Sequence, residues 1–106
     1  MIYSINQIKK IIEPVALKYK LPAVYLFGSY AKGEATENSD VDILVDKSGT
    51  ELKGLFALGG LYNDLRDVFE KNIDLITTGA LEQDYITERS PWFVKNIENE
   101  KLKIYG

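Results

Sequence analysis

Residues 23–45 read AVYLFGSYAKGEATENSDVDILV, and two apolar runs within this stretch decide the fold. Residues 23–27 are continuously apolar, which is typical of a short buried strand, and the run ends at Gly28-Ser29. Residues 40–45 form a second strand after a polar connection with a short helix before Gly33. If the two strands pair antiparallel, the end of the first and the start of the second lie at the same edge of the sheet.

A third strand is expected at residues 73–76 (IDLI), after a helix over residues 50–71. Strands joined by a helical crossover are usually parallel, so Asp74 should lie beside the first residues of the second strand. Gly59-Gly60 weakens the intervening helix by roughly 1 kcal/mol per Gly. We therefore expect a break there, or a close approach to the sheet.

The rest of the chain continues the alternation of helices and strands. Ser4 and Gln7 form a predicted capping box for a first helix, which Pro14 should kink or divide. Residues 80–89 are predicted to be helical, Ser90-Pro91 should start another helix, and residues 101–105 alternate like a final edge strand. The expected class is α/β (α+β), with a small mixed sheet of three to four strands flanked by helices.

Asp40 and Asp42 should share one face of the second strand, about 6–7 Å apart. Two carboxylates at the start of an otherwise apolar strand repel each other, and cations would resolve that conflict. Gly28 lets a phosphate approach the backbone, and Ser29 can donate a hydroxyl. With Asp74 beside them, these residues are the parts of a two-metal site for phosphoryl or nucleotidyl transfer.

The composition narrows the possible chemistry. The chain has no Cys and no His, so thiolate metal sites, disulfides and histidine general bases are excluded. Carboxylate chemistry remains, and it suits magnesium or manganese. The net charge of −3 argues against direct nucleic-acid binding. No apolar run approaches the roughly 20 residues of a membrane span, so we expect a soluble cytoplasmic protein.

One motif resembles the signature of the DNA polymerase β-like nucleotidyltransferase superfamily. It consists of Gly28-Ser29 followed, after ten residues, by Asp40-Val41-Asp42. Residues 25–33 (YLFGSYAKG) are similar to a block of the minimal nucleotidyltransferases (MNT), antitoxin partners of HEPN-domain ribonuclease toxins. The likeness extends over nearly the whole chain. Residues 1–106 are accordingly expected to form one minimal nucleotidyltransferase domain.

This resemblance implies transfer of AMP from ATP to a tyrosine hydroxyl of a HEPN toxin, with two Mg²⁺ ions (Mn²⁺ being possible). Asp40, Asp42 and Asp74 would be the catalytic metal ligands. Gly28, Ser29 and Lys32 would hold the phosphates, although Lys32 stands where the family more often has Arg.

Other functions are also compatible with the sequence. The chain could neutralise a toxin by binding alone, or transfer a nucleotide to a small molecule or RNA. The resemblance also implies a hetero-oligomer of this chain with the toxin. Arg66 is expected to be exposed to solvent.

Overall fold

Helices and strands alternate in this computed structural model, which describes residues 2–46, 54–77 and 100–106, without the side chains of 54–56. The elements, in chain order, are α1 (Ile5–Lys18), β1 (Ala23–Phe27), α2 (Gly28–Lys32), β2 (Val41–Asp46), α3 (Gly54–Phe69), β3 (Ile73–Thr77) and β4 (Leu102–Tyr105). The predicted helices at 80–89 and after Ser90-Pro91 lie outside the described residues.

The four strands form one mixed sheet in the order β3-β2-β1-β4. β1 pairs antiparallel with β2 and with β4, and β2 pairs parallel with β3. The pairing predicted from the apolar runs and the crossover helix is confirmed. β2 begins one residue later than expected, at Val41, which leaves Asp40 just outside the strand.

α1 confirms the predicted capping box, because Ser4 and Gln7 exchange both hydrogen bonds. Pro14 lies inside this helix without dividing it, so of the two expected effects, a kink or a division, the division is wrong. Pro14 and Lys10 both lie on the exposed side. The Lys10 carbonyl that loses its helical partner can therefore be hydrated by solvent, which reduces the cost of the proline.

α3 also runs unbroken through Gly59-Gly60, so the predicted break is wrong. The close approach at this position involves α1 rather than the sheet, because a Cβ on Gly60 would lie 3.2 Å from the Tyr19 hydroxyl. That hydroxyl donates to Asp64 at 2.6 Å, and Lys18 donates to the same carboxylate at 2.8 Å. A side chain at position 60 would crowd this link between the two helices.

The two faces of the sheet differ. One face packs against α1 and α3 through a single apolar cluster that includes Val24, Leu26, Val41 and Ile43. The opposite face carries a smaller cluster of Phe27 and Leu44 with Tyr25 and Ile76. Because strand residues alternate between faces, Asp42 and Asp74 lie on this second side. We call it the carboxylate face.

Tyr30, on α2, is buried in the main core, and its hydroxyl has no hydrogen-bond partner among the described residues. We predict that Tyr30→Phe stabilises the protein by about 1 kcal/mol, because it removes an unsatisfied buried polar group. The matched control is Tyr19→Phe, which deletes the hydrogen bond to Asp64 and should destabilise by a similar amount. Thermal unfolding of both variants checks this. An equal loss of stability in both would show that the Tyr30 hydroxyl is satisfied.

No helix among residues 2–46, 54–77 and 100–106 is long and apolar enough to cross a membrane.

Candidate active site

Three neighbouring strands carry the residues of the candidate site in one row, which crosses the sheet near one end of the strands. Phe27, the last residue of β1, pairs with Asp42 of β2, and Asp42 pairs with Asp74 of β3. The Gly28-Ser29 turn follows Phe27 directly. The predicted meeting of Asp42, Asp74 and the Gly-Ser turn at one edge is therefore observed in the pairing of the strands.

Gly28 lies so close to the carboxylate row that a side chain at this position would displace the carboxylate of Asp42. Its φ is +69°, which favours glycine, and a Cβ there would lie 2.0 Å from Oδ2 of Asp42. The turn and the carboxylate thus share one small space. A group bound by the backbone of this turn would be next to Asp42.

Asp40 differs from Asp42 in its position along the chain and in its exposure. It is exposed in the connection before β2, while Asp42 is half-buried and Asp74 is exposed at the start of β3. Within the three described segments no group of three acidic side chains is close enough to form a ready metal cage.

The pKa of the Asp42 carboxyl is raised to about 6, first by burial and then by the charges of Asp74 and Asp40. Asp40 is therefore near enough to act on Asp42 electrostatically although it lies outside the strand. A carboxyl whose proton affinity rises for these reasons is one that a cation would stabilise in the ionised form.

This raised pKa predicts how stability changes with pH in the absence of divalent cations. Between the ordinary value of 3.8 and about 6, the folded protein binds more protons at Asp42 than the unfolded chain does. The contribution of Asp42 to the free energy of unfolding therefore falls as the pH rises through this window. Consequently, the melting temperature of Asp42→Asn minus that of the wild type should grow as the pH is raised through the same window.

The measurement is a pair of thermal melts in chelator across that pH range. Added Mg²⁺ should raise the melting temperature of the wild type but not that of the variant. If the difference in melting temperature between the variant and the wild type stays constant with pH, burial and neighbouring charges do not raise the pKa of Asp42.

Ser29 is the second residue of α2, and the cap position is occupied by Phe27 without a side-chain hydrogen bond. Ser29 therefore does not act as the cap of this helix. Gly33 ends α2 with a φ of +73°, as expected of a helix-terminating glycine.

Lys32 lies at the end of α2, and its ammonium is 3.4 Å from a carboxylate oxygen of Glu100. Both side chains are substantially exposed, and such a pair is worth about 0.2–1 kcal/mol. Lys32 could exchange Glu100 for a phosphate at little cost, but its charge is already partly balanced.

A polar cleft of about 760 Å³ opens beside Asp40, between the connection before β2 and the C-terminal half of α3. Arg66 lines it and lies over the Tyr62 ring, 5.9 Å from the centroid. Arg66 is exposed, as predicted. The cleft is a feature that sequence reasoning missed, because it depends on how the connection packs against α3.

A second missed feature is a pair of lysines at Tyr25 on the carboxylate face. The ammonium groups of Lys101 and Lys103 lie 4.7 and 5.9 Å from the centroid of the Tyr25 ring. The alternation of residues 101–105 was a signal that both lysines share one face. Their strand partner was not predictable from that signal.

The carboxylates of Asp42, Asp74 and Asp40 are chemically suited to bind magnesium. Asp42 and Asp74 supply hard oxygen ligands on adjacent strands, and Mg²⁺ prefers such ligands. Asp40 could join them from the flanking connection. The raised pKa of Asp42 is the observation that favours a cation here over an ordinary polar sheet edge.

Comparison with known families identifies the fold that carries this Gly-Ser turn beside paired strand carboxylates. Residues 8–104 match the profile of the Nucleotidyltransferase domain family. Because this match covers most of the chain, the protein belongs to that family and is a nucleotidyltransferase.

The chain is similar to a Methanocaldococcus jannaschii protein with the provisional name protein adenylyltransferase MJ0126. They are 38% identical over 105 residues, covering 95% of this chain and 98% of the relative.

Two solved structures share the fold. A chain of a toxin–antitoxin complex with AMP-PNP has a TM-score of 0.69 at 24% identity, covering 92% of this chain and 73% of that one. A chain of the tri-AMPylated Shewanella oneidensis HEPN toxin in complex with MNT antitoxin has a TM-score of 0.58 at 20% identity, covering 96% and 69%.

Proposed function

We propose that this chain is a magnesium-dependent protein adenylyltransferase that transfers AMP from ATP to a tyrosine hydroxyl of a HEPN-domain toxin, and so acts as its antitoxin. The observation that carries the proposal is the contact between the Gly28 turn and the Asp42–Asp74 pair. The name of the M. jannaschii relative supports a protein as the acceptor, and the complexes formed by the structural neighbours support a toxin as the partner.

In the proposed reaction the acceptor oxygen attacks the α-phosphorus of ATP, the bond from this phosphorus to the bridging oxygen breaks, and pyrophosphate leaves. Asp74 accepts the hydroxyl proton. This role suits its exposed position on β3, which is the outermost of the described strands on that side of the sheet. Bound magnesium would neutralise charge on the phosphates, held by Asp42 and Asp74 with Asp40 beside them.

The backbone of Gly28-Ser29 and the Ser29 hydroxyl hold the β- and γ-phosphates, with Lys32 as an additional contact. These groups orient the α-phosphorus toward Asp42 and Asp74, because the turn adjoins the Asp42 carboxylate. Positioning and charge neutralisation supply most of the rate in phosphoryl-transfer reactions generally.

The proposal is tested by incubating this chain with Mg²⁺, a HEPN toxin encoded beside it, and ATP labelled at either the α- or the γ-phosphate. Adenylyl transfer places only the α-label on the toxin. Incorporation of the γ-label instead would indicate a kinase, and an inhibited toxin without label would indicate neutralisation by binding alone. Label on added RNA or a small molecule, but not on the toxin, would move the acceptor to that class.

A further inference from the structure

Outside the carboxylate row, the same face of the sheet carries a concentrated positive charge on an aromatic support. Tyr25 is partly buried in the small cluster with Phe27 and Leu44. The ammonium groups of Lys101 and Lys103 both lie within 6 Å of its ring centroid, at 4.7 and 5.9 Å. At such distances a cation is attracted by the ring face.

The strand register puts these lysines in line with the proposed active site. Tyr25 pairs with Lys103 and Leu26 with Leu102, so residue 101 falls opposite Phe27. Phe27 in turn pairs with Asp42. Ile104 is buried in the main core on the other face, which leaves positions 101 and 103 on the carboxylate face. β4 is two strands from β2, or about 10 Å.

The positions of the turn and of the two lysines set the direction of a bound triphosphate. Asp42 and Asp74, on β2 and β3, would face the α-phosphate, and the turn proposed to hold the β- and γ-phosphates follows β1, which pairs on its other side with β4. The Gly28-Ser29 turn itself offers only neutral donors. Lys101 and Lys103 add positive charge on the β4 side of the turn.

We propose that Lys101 and Lys103, supported by the Tyr25 ring, bind the terminal phosphates of the nucleotide and then the pyrophosphate that leaves. This inference rests on the proposed nucleotidyl transfer and adds the subsite for its leaving group. Tyr25 is a positioning residue, because it holds the two ammonium groups and does not itself touch the phosphates.

The test compares the affinities of ATP and AMP, in Mg²⁺, for the wild-type chain and for Lys101→Met/Lys103→Met. Methionine keeps a long apolar side chain over Tyr25 and removes the charge. ATP affinity should fall about tenfold or more, since charge-assisted contacts to phosphate are lost. AMP affinity should change less than about twofold, because AMP lacks the terminal phosphates.

Two further variants separate a local role from overall charge and from packing. Lys10→Met, on the exposed side of α1, should leave ATP affinity unchanged. Tyr25→Phe should retain ATP affinity because the ring face remains, whereas Tyr25→Leu should lose part of it.

Unchanged ATP affinity in the double lysine variant, or equal losses for ATP and AMP, would overturn the subsite while leaving the transfer reaction in place. A wild-type chain that binds no ATP would overturn both the subsite and the proposed function.

Discussion

Asp42→Asn is expected to reduce AMP transfer by about 10³-fold or more, because several kcal/mol of charge stabilisation in the transition state depend on this carboxylate. Asp42 is the most enclosed of the three acidic residues and pairs across the sheet with Asp74. Asparagine has nearly the same shape but lacks the charge that a hard divalent cation requires.

The fold should survive this change. The variant removes a half-buried charge that Asp74 and Asp40 oppose, so the metal-free protein should melt at or above the wild-type temperature. Asp46→Asn is the matched control, because Asp46 lies at the opposite end of the same strand. Turnover near that of the wild type in Asp42→Asn, with an unchanged melting temperature, would contradict the role assigned to Asp42.

Gly28→Ala is expected to lower transfer by about 100-fold, since displacements near 1 Å in an active site have effects of that size. The new Cβ would lie 2.0 Å from Oδ2 and 2.9 Å from Cγ of Asp42, so the carboxylate must move. The variant should also lose about 1–2 kcal/mol of stability, because Gly28 has a left-handed backbone conformation.

Gly33→Ala separates these two effects. Gly33 has a similar φ of +73°, but no atom lies within 4 Å of the position that its Cβ would take. This control should share the loss of stability and keep activity within about twofold of the wild type. Equal losses of activity in the two variants would show that backbone strain alone, and not the space beside Asp42, explains the effect of Gly28→Ala.

The topology was predictable because its signals are local. The apolar run ending at Gly28, the strand starting near Asp40 and the helix before Ile73 constrain the strand pairing once crossover rules are applied. Asp42 and Asp74 are neighbours as a direct consequence. The roles of these residues in transfer remain predictions.

The features that could not be predicted depend on contacts between distant segments. Pro14 is tolerated because its side of α1 faces solvent, and Gly60 is crowded by Tyr19 rather than by the sheet. Asp40 lies one residue before β2 and not within it. Lys101 and Lys103 acquire their position only when β4 pairs with β1.

The intact mass of the HEPN toxin after incubation with this chain, ATP and Mg²⁺ tests the proposed reaction most directly. We predict a gain of one or more AMP units that requires ATP. With Asp74→Asn the gain should disappear, although the variant still binds the toxin. A toxin of unchanged mass, inhibited equally by the wild type and by Asp74→Asn, would contradict catalysis and leave binding as the mechanism.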